Sequence, residues 1–343
     1  MTKLHREGDE VLQSVKRIRV SVGTAGVLGL LKLHSDAEPT TAYVMTYTFN
    51  RCRANCGFCP QARGSTSNKD KLSRVVWPDF EFGLFMEKAV PSMREGKFCR
   101  LCIQALNYPD FMEDVFQISS SILSQVDIPI SVSCPPTGKL EMERLKQIGV
   151  DRIGIPIDAA TQEIFDRVKG VLAGGPYRWE SHFLALRSAV EVFGRDKVST
   201  HLIVGLGETE RNMVEAIQRL SGMGIDPSLF ALTPVKGTKL ETSKRPSISH
   251  YRRVQVASYL IMQGLSSAKL MKFDSNGKII DFGTTPEVLH QTLSQGYPFK
   301  TTGCPSCNRP FFTESPRGPI YNYPRDLNEA EKRKSLQEMA TAD

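Results

Sequence analysis

The stretch AYVMTYTFNRCRANCGFCPQAR, residues 42–63, opens on a run rich in β-branched and aromatic side chains and closes on a cysteine cluster. The first part, AYVMTYT (42–48), reads as a buried strand. An open doubly wound sheet would follow its first strand with a glycine-rich phosphate turn. Here Cys52, Cys56 and Cys59 occupy that place. Working outward, the same alternation recurs. Strands are expected at 98–104, 129–134, 151–158, 198–205, 229–235 and 268–274, and helices near 81–94, 111–125, 139–148, 160–169, 178–193, 208–223 and 249–264. Strand followed by helix-length segment is the signature of βαβ units and a parallel sheet. The expected fold is therefore α/β, a full or partial (βα) barrel spanning 41–275. An N-terminal segment, 1–40, reads as helical with a glycine-rich break. A cysteine-bearing extension, 276–343, is expected to cap one end, its last residues forming a solvated helix or tail.

The 343 residues are 40% hydrophobic and 24% charged, with 26 Gly and 20 Pro. That balance excludes a disordered or fibrous chain. No apolar run approaches the roughly 20 residues that span a bilayer, and the charged N-terminus lacks a secretory h-region. A cytoplasmic protein with no membrane partner is expected. The net charge of +7, from 44 Lys and Arg against 37 Asp and Glu, is spread along the chain. It suits acidic partners or simple solubility, and nucleic acid is not an expected ligand.

Eight cysteines stand at 52, 56, 59, 99, 102, 134, 304 and 307. In a reducing compartment such clustering points to metal or iron–sulfur ligation. The triplet Cys52-x3-Cys56-x2-Cys59 provides three thiolates on one loop, enough for three irons of a [4Fe–4S] cluster with the fourth left open. Phe58 is placed to shield such a cluster, and Gly57 to let the loop turn. Zinc is the competing reading, but it usually takes four ligands.

This spacing, on a loop directly after the first strand, resembles the radical S-adenosylmethionine (SAM) superfamily. The resemblance covers roughly residues 40–275. It implies a cluster whose open iron binds SAM, and cleavage of SAM to a 5′-deoxyadenosyl radical that attacks unactivated C–H bonds. Further stretches look like biotin synthase and its relatives. HLIVGLGETERN (201–212) matches the fifth-strand motif, which implies that Ile203 and Gly205 lie near the adenine and that Glu208 opens the next helix. IGIPIDAAT (153–161) matches the fourth strand, placing Asp158 where a carboxylate would hold the SAM ribose. A second reading makes Asp158 a helix N-cap. Arg178 is a candidate for the methionine carboxylate. PVKGTKLE (234–241) resembles the end of the sixth strand.

Biotin synthase holds a second cluster with Cys on three strands and an Arg. Cys102 and Cys134 fall close to two of those positions, but Ser199 stands at the third and the Arg has no clear counterpart. Cys304 and Cys307, in TTGCPSCNRP, complete a four-thiolate set with Cys102 and Cys134 for a second, auxiliary [4Fe–4S] cluster. On the strand Arg100, Cys102 and Gln104 share one face, so Cys99 is expected to be a buried, inert thiol on the other. A zinc knuckle of Cys304 and Cys307 with Cys99 and Cys102 is the alternative. With the C-terminal CPSCNRPFF and IYNYPR, the whole resembles the two-protein, archaeal-type lipoyl synthases. That resemblance implies sulfur insertion into an octanoyl or monothiolated octanoyl chain on a lysine of a lipoyl-accepting carrier protein. It also implies a second related radical SAM protein and an electron donor such as ferredoxin or flavodoxin. Alternatives are another radical SAM enzyme with a permanent auxiliary cluster, or a non-catalytic iron–sulfur scaffold.

Overall fold

The computed structural model describes residues 15–33, 35–315 and 317–341. The strands are β1 (Arg17–Val20), β2 (Thr41–Thr46), β3 (Lys71–Leu72), β4 (Val75–Val76), β5 (Asp79–Glu81), β6 (Arg100–Gln104), β7 (Ile130–Ser133), β8 (Arg152–Gly154), β9 (Val198–Val204), β10 (Ile225–Ala231), β11 (Lys272–Phe273) and β12 (Ile279–Asp281). The helices are α1 (Val22–Val27), α2 (Phe82–Arg94), α3 (Phe111–Leu123), α4 (Lys139–Gln147), α5 (Gln162–Val168), α6 (Trp179–Phe193), α7 (Glu210–Gly222), α8 (Ile248–Met262), α9 (Pro286–Gln295) and α10 (Glu329–Ala340).

Strands β2, β6, β7, β8, β9 and β10 run parallel, each next to its predecessor in the sheet. This is the βα alternation read from the sequence, and it makes a partial barrel: β10 forms one end of the sheet and β5 the other. The far side of β2 is extended by β1, antiparallel to β2, and then by β5, antiparallel to β1. The N-terminal segment is therefore not simply helical. In RIRV (17–20) the apolar residues alternate, so Ile18 and Val20 are fully buried as a strand while Arg19 turns to Asp70 and the Trp77 carbonyl. The part of the expected N-terminal segment before residue 15 lies outside the described residues.

The expected seventh barrel strand, 268–274, also differs. Only Lys272–Phe273 is extended, and it pairs antiparallel with β12 in a small separate hairpin. Lys269, Lys272 and Asp274 interrupt the apolar run, whereas a parallel barrel strand is covered on both faces. The C-terminal helix α10 is docked rather than solvated. Arg252 of α8, fully buried, donates to the carbonyls of Ile320 and Tyr321 (both 2.6 Å) and pairs with Glu338 (2.9 Å).

Candidate functional site

The six parallel strands enclose a cavity of about 600 Å³. Register puts Tyr43, Cys102 and Ser131 abreast on β2, β6 and β7. One pleat further along, Met45, Gln104 and Ser133 stand abreast in the same way. All six face the cavity.

The triplet loop closes one wall. Its shape is fixed by backbone bonds: Cys52 N to Gln61 O (3.1 Å), Cys59 N to Cys56 O (3.0 Å) and Ala62 N to Cys59 O (3.1 Å). Gly57 serves docking more than turning. Its N–H donates to Val168 O (2.7 Å) and its carbonyl accepts from Leu240 N (2.9 Å), tying the loop to the ends of α5 and the chain after β10. Phe58 and all three cysteines line the cavity. Burial pushes the Cys59 thiol up to about 12, and raises Cys52 and Cys56 as well. Three crowded, largely desolvated thiols need a nearby positive charge to ionise, and a bound iron group brings one. The donor set therefore fits such a group. Among the described residues no three His, Cys, Asp or Glu side chains converge on one ion position. In a four-iron cluster each thiolate holds its own iron, so such convergence is not required.

Asp158 sits at the cavity wall with φ +64, its backbone bonded both ways to β9: its N–H to His201 O and its carbonyl to Ile203 N (2.8 Å each). It is not the helix cap. That role belongs to Thr161, whose hydroxyl accepts from Ile164 N. Instead Asp158 Oδ2 receives Lys169 Nζ at 2.6 Å. Lys169 also donates to Pro156 O and lies over the Tyr177 ring, and no sequence motif announced it. His182 is equally unannounced. Its Nδ1 lies 3.0 Å from the Arg178 carbonyl, so Nδ1 carries the proton, while buried Nε2 has no hydrogen-bond partner among the described residues. Burial, then Lys169, pushes its pKa down to about 3. Burial likewise takes His201, on the same cavity, down to about 4.

The remaining SAM-motif residues divide. Ile203 lines the cavity. Glu208 and Gly205 do not: the Glu208 carboxylate accepts from Gly205 N (2.6 Å) and Leu206 N (2.9 Å), clamping the GLG turn. Gly205 has φ +105, and a Cβ there would meet Pro246 at 2.9 Å. The next helix opens one residue past Glu208, on a Thr209–Asn212 capping box. Arg178 is exposed and donates to the Tyr177 carbonyl (2.9 Å), away from the cavity.

Cys102, Cys304 and Cys307 line the same cavity as the triplet. Gln104 Nε2 donates to Cys102 Sγ (3.1 Å) and Ser131 Oγ to Cys304 Sγ (3.3 Å), and Tyr43 OH is 3.4 Å from Cys307 Sγ. Burial, with Cys304 and Cys307 next in effect, raises the Cys102 thiol. Cys134 also borders the cavity, but unlike Cys102 its thiol is raised, to about 12, by burial alone, without a contribution from Cys304 or Cys307. Cys99 is exposed, not buried, because it lies one residue ahead of β6 at the rim. Its side chain and that of Cys102 are on opposite sides, so the knuckle using both is not formed. Arg309, missed in CNRPFF, lies beside this group, its guanidinium 3.9 Å from the Phe230 ring centre. One apolar cluster of Tyr43, Met45, Trp77 and Leu106 packs against cysteines of both groups, Cys52 and Cys56 on one side and Cys102 and Cys307 on the other.

No helix among the described residues is long and apolar enough to cross a membrane. A biotin synthase from Saccharopolyspora erythraea is 26% identical over 223 residues, 62% of this chain and 58% of that protein, so the match spans less than two thirds of the relative. Among solved structures, methylornithine synthase superposes with a TM-score of 0.49 at 14% identity, over 70% of this chain and 73% of that one. The FeFe-hydrogenase maturase HydG from Carboxydothermus hydrogenoformans gives 0.46 at 20% identity, over 74% and 56%. The family model for the radical SAM superfamily matches residues 46–220, spanning the triplet, Asp158 and the GLGET turn. The chain belongs to the radical SAM superfamily, which implies a [4Fe–4S] cluster and SAM as its cofactors.

Proposed function

We propose that this protein inserts sulfur into an octanoyl, or monothiolated octanoyl, chain carried on a lysine of a lipoyl-accepting protein. The observation that carries the reading is one apolar-walled cavity lined both by Cys52, Cys56 and Cys59 and by Cys102, Cys304 and Cys307. Alkyl C–H bonds are not acidic, so no general base among these residues could activate them. When bound, the triplet's cluster with SAM supplies a carbon radical able to take such a hydrogen, and the second group supplies sulfur. The protein's own part is positioning. Met45, Trp77, Leu106 and Phe312 keep water from the chain. Asp158, whose second oxygen is not used by Lys169, has lone pairs left for ribose hydroxyls. A net charge of +7 suits an acidic reductant such as ferredoxin or flavodoxin. A second related radical SAM protein completes the reaction in this reading.

The test is mass spectrometry of an octanoylated acceptor peptide after anaerobic reconstitution. The parent adds sulfur. Cys304→Ala/Cys307→Ala still forms 5′-deoxyadenosine but adds none, and Cys52→Ala/Cys56→Ala/Cys59→Ala does neither. Sulfur addition by the Cys304/Cys307 variant would overturn the proposal.

A further inference from the structure

We infer that the second site is built from three thiols, Cys102, Cys304 and Cys307, with Cys134 outside it, and that its fourth position takes a thiolate or sulfide entering from the cavity. The inference rests on the reading above that these thiols hold an iron–sulfur group.

Strand register separates Cys134 from the others. Cys102 is level with Ser131, and Ser131 Oγ touches Cys304. Cys134 lies three residues beyond Ser131, about 10 Å along the chain at 3.3 Å per residue. Three is an odd offset, so its side chain points away from the face that carries Ser131 and Ser133. Cys134 borders the cavity too, but packs in the main core cluster, and no hydrogen bond joins its sulfur to the Cys102, Cys304 and Cys307 group among the described residues.

Each of the three thiols, by contrast, has a polar partner from the barrel. Gln104 serves Cys102. Ser131, which accepts from Arg100 Nη1 at 2.9 Å, has its proton free for Cys304. Tyr43 OH accepts from Arg309 N at 3.0 Å, which leaves its proton for Cys307. The turn that carries Cys304 and Cys307 is fastened to the barrel: Thr40 N donates to Asn308 Oδ1 (3.1 Å) and Leu229 N to Thr302 Oγ1 (2.9 Å). Gly303, at φ +152, allows that turn to lie close, since a Cβ there would meet Cys307 Sγ at 3.2 Å.

Among the described residues no further thiol is hydrogen-bonded into this group, and the nearby Ser228 hydroxyl is a poorer iron ligand than a thiolate. Tyr43, Ser131 and Gln104 are committed to the three sulfurs. Arg309 is a guanidinium and has no lone pair to offer. Its positive charge instead favours an anionic ligand, and a soft thiolate or sulfide suits iron best. A substrate already bearing one sulfur has that chemistry.

The experiment uses the full chain with Cys52, Cys56 and Cys59 changed to Ala, so that only the second site can hold iron. After anaerobic reconstitution this parent carries about four irons. Adding Cys134→Val, which preserves apolar volume, is expected to leave that count unchanged, while adding Cys304→Ala removes most of it. Titrating 1-octanethiol into the reduced parent then shifts its electron paramagnetic resonance spectrum saturably. Equal loss of iron in the Cys134→Val and Cys304→Ala proteins would overturn the three-thiol assignment. An unchanged spectrum with 1-octanethiol would overturn the open position. A parent that holds no iron would instead sink the reading of a second cluster on which both depend.

Discussion

Lys169 Nζ and Asp158 Oδ2 stand 2.6 Å apart with their side chains only 5% and 8% exposed, one at the end of α5 and the other just past β8. Removing one partner from a buried pair strands the other charge, at a cost of about 3–5 kcal/mol. Lys169→Met is therefore expected to lower unfolding stability by that order, measured in denaturant, and Lys169→Met/Asp158→Asn to recover part of it. Asn is the right replacement at Asp158 because φ is +64, which Ala tolerates poorly. Asp158→Asn should also weaken SAM binding about tenfold, as loss of a charge-assisted hydrogen bond of some 1.5 kcal/mol would. A Lys169→Met protein as stable as its parent would refute the pair.

Glu208 offers a contrasting case, because its carboxylate works on its own backbone. Glu208→Ala leaves the buried Leu206 N–H and the half-buried Gly205 N–H without their acceptor, about 1–3 kcal/mol for the first and less for the second. Glu208→Gln keeps one acceptor and should lose roughly half as much. Thermal melts of the two variants check the order, and SAM affinity should follow stability instead of collapsing independently.

The triplet and the βα alternation were legible because both are local: a spacing of a few residues and periods of two and about four. Asp158 was readable as a site residue, but its partner was not, since Lys169 meets it only after α5 folds back. Arg309 and His182 were missed for the same reason: each gains meaning from a cavity assembled by distant strands. Glu208 was placed in the right motif with a different job, because a side-chain clamp on a turn leaves no periodic trace. Arg178 carried a charge at a plausible spacing, but it ends on the surface. The β1 strand was mistaken for helix because its few residues pair with partners more than twenty positions away.

His182 and His201 are held neutral in the folded protein, with pKa values taken down to about 3 and about 4 by burial. An unfolded histidine takes its proton near 6.5. Between pH 6.5 and about 4 the unfolded chain therefore binds more protons than the folded one, and stability must fall as pH falls. The slope approaches about 1.4 kcal/mol per pH unit for each histidine. Unfolding free energies of the reduced apoprotein at pH 7 and pH 5 measure it. His182→Gln should flatten the dependence by about half, and an unchanged slope would show that His182 is already charged or exposed.

The last prediction concerns how the extension is held over the cavity. Arg252, fully buried in α8, binds the carbonyls of Ile320 and Tyr321, Gln255 Oε1 (2.7 Å) and the Glu338 carboxylate. Tyr321 and Tyr323 lie just downstream of the Cys304–Cys307 turn, and Tyr323 N bonds back to Phe299 O at 2.9 Å. Loss of Arg252 thus unfastens the segment on both sides of α10's docking site, leaving buried carbonyls and a carboxylate without donors. Arg252→Met keeps much of the side-chain length and removes the charge. It should cost about 3–5 kcal/mol, the scale of a broken buried charge network. Limited proteolysis should then cut first between residues 300 and 328, where the parent resists. Because the triplet loop's backbone hydrogen bonds run to Val168 and Leu240, and none among the described residues runs to the extension, SAM binding should survive in the folded fraction. Uniform loss of SAM binding and extension order together would show that the extension and the triplet loop fold as one unit.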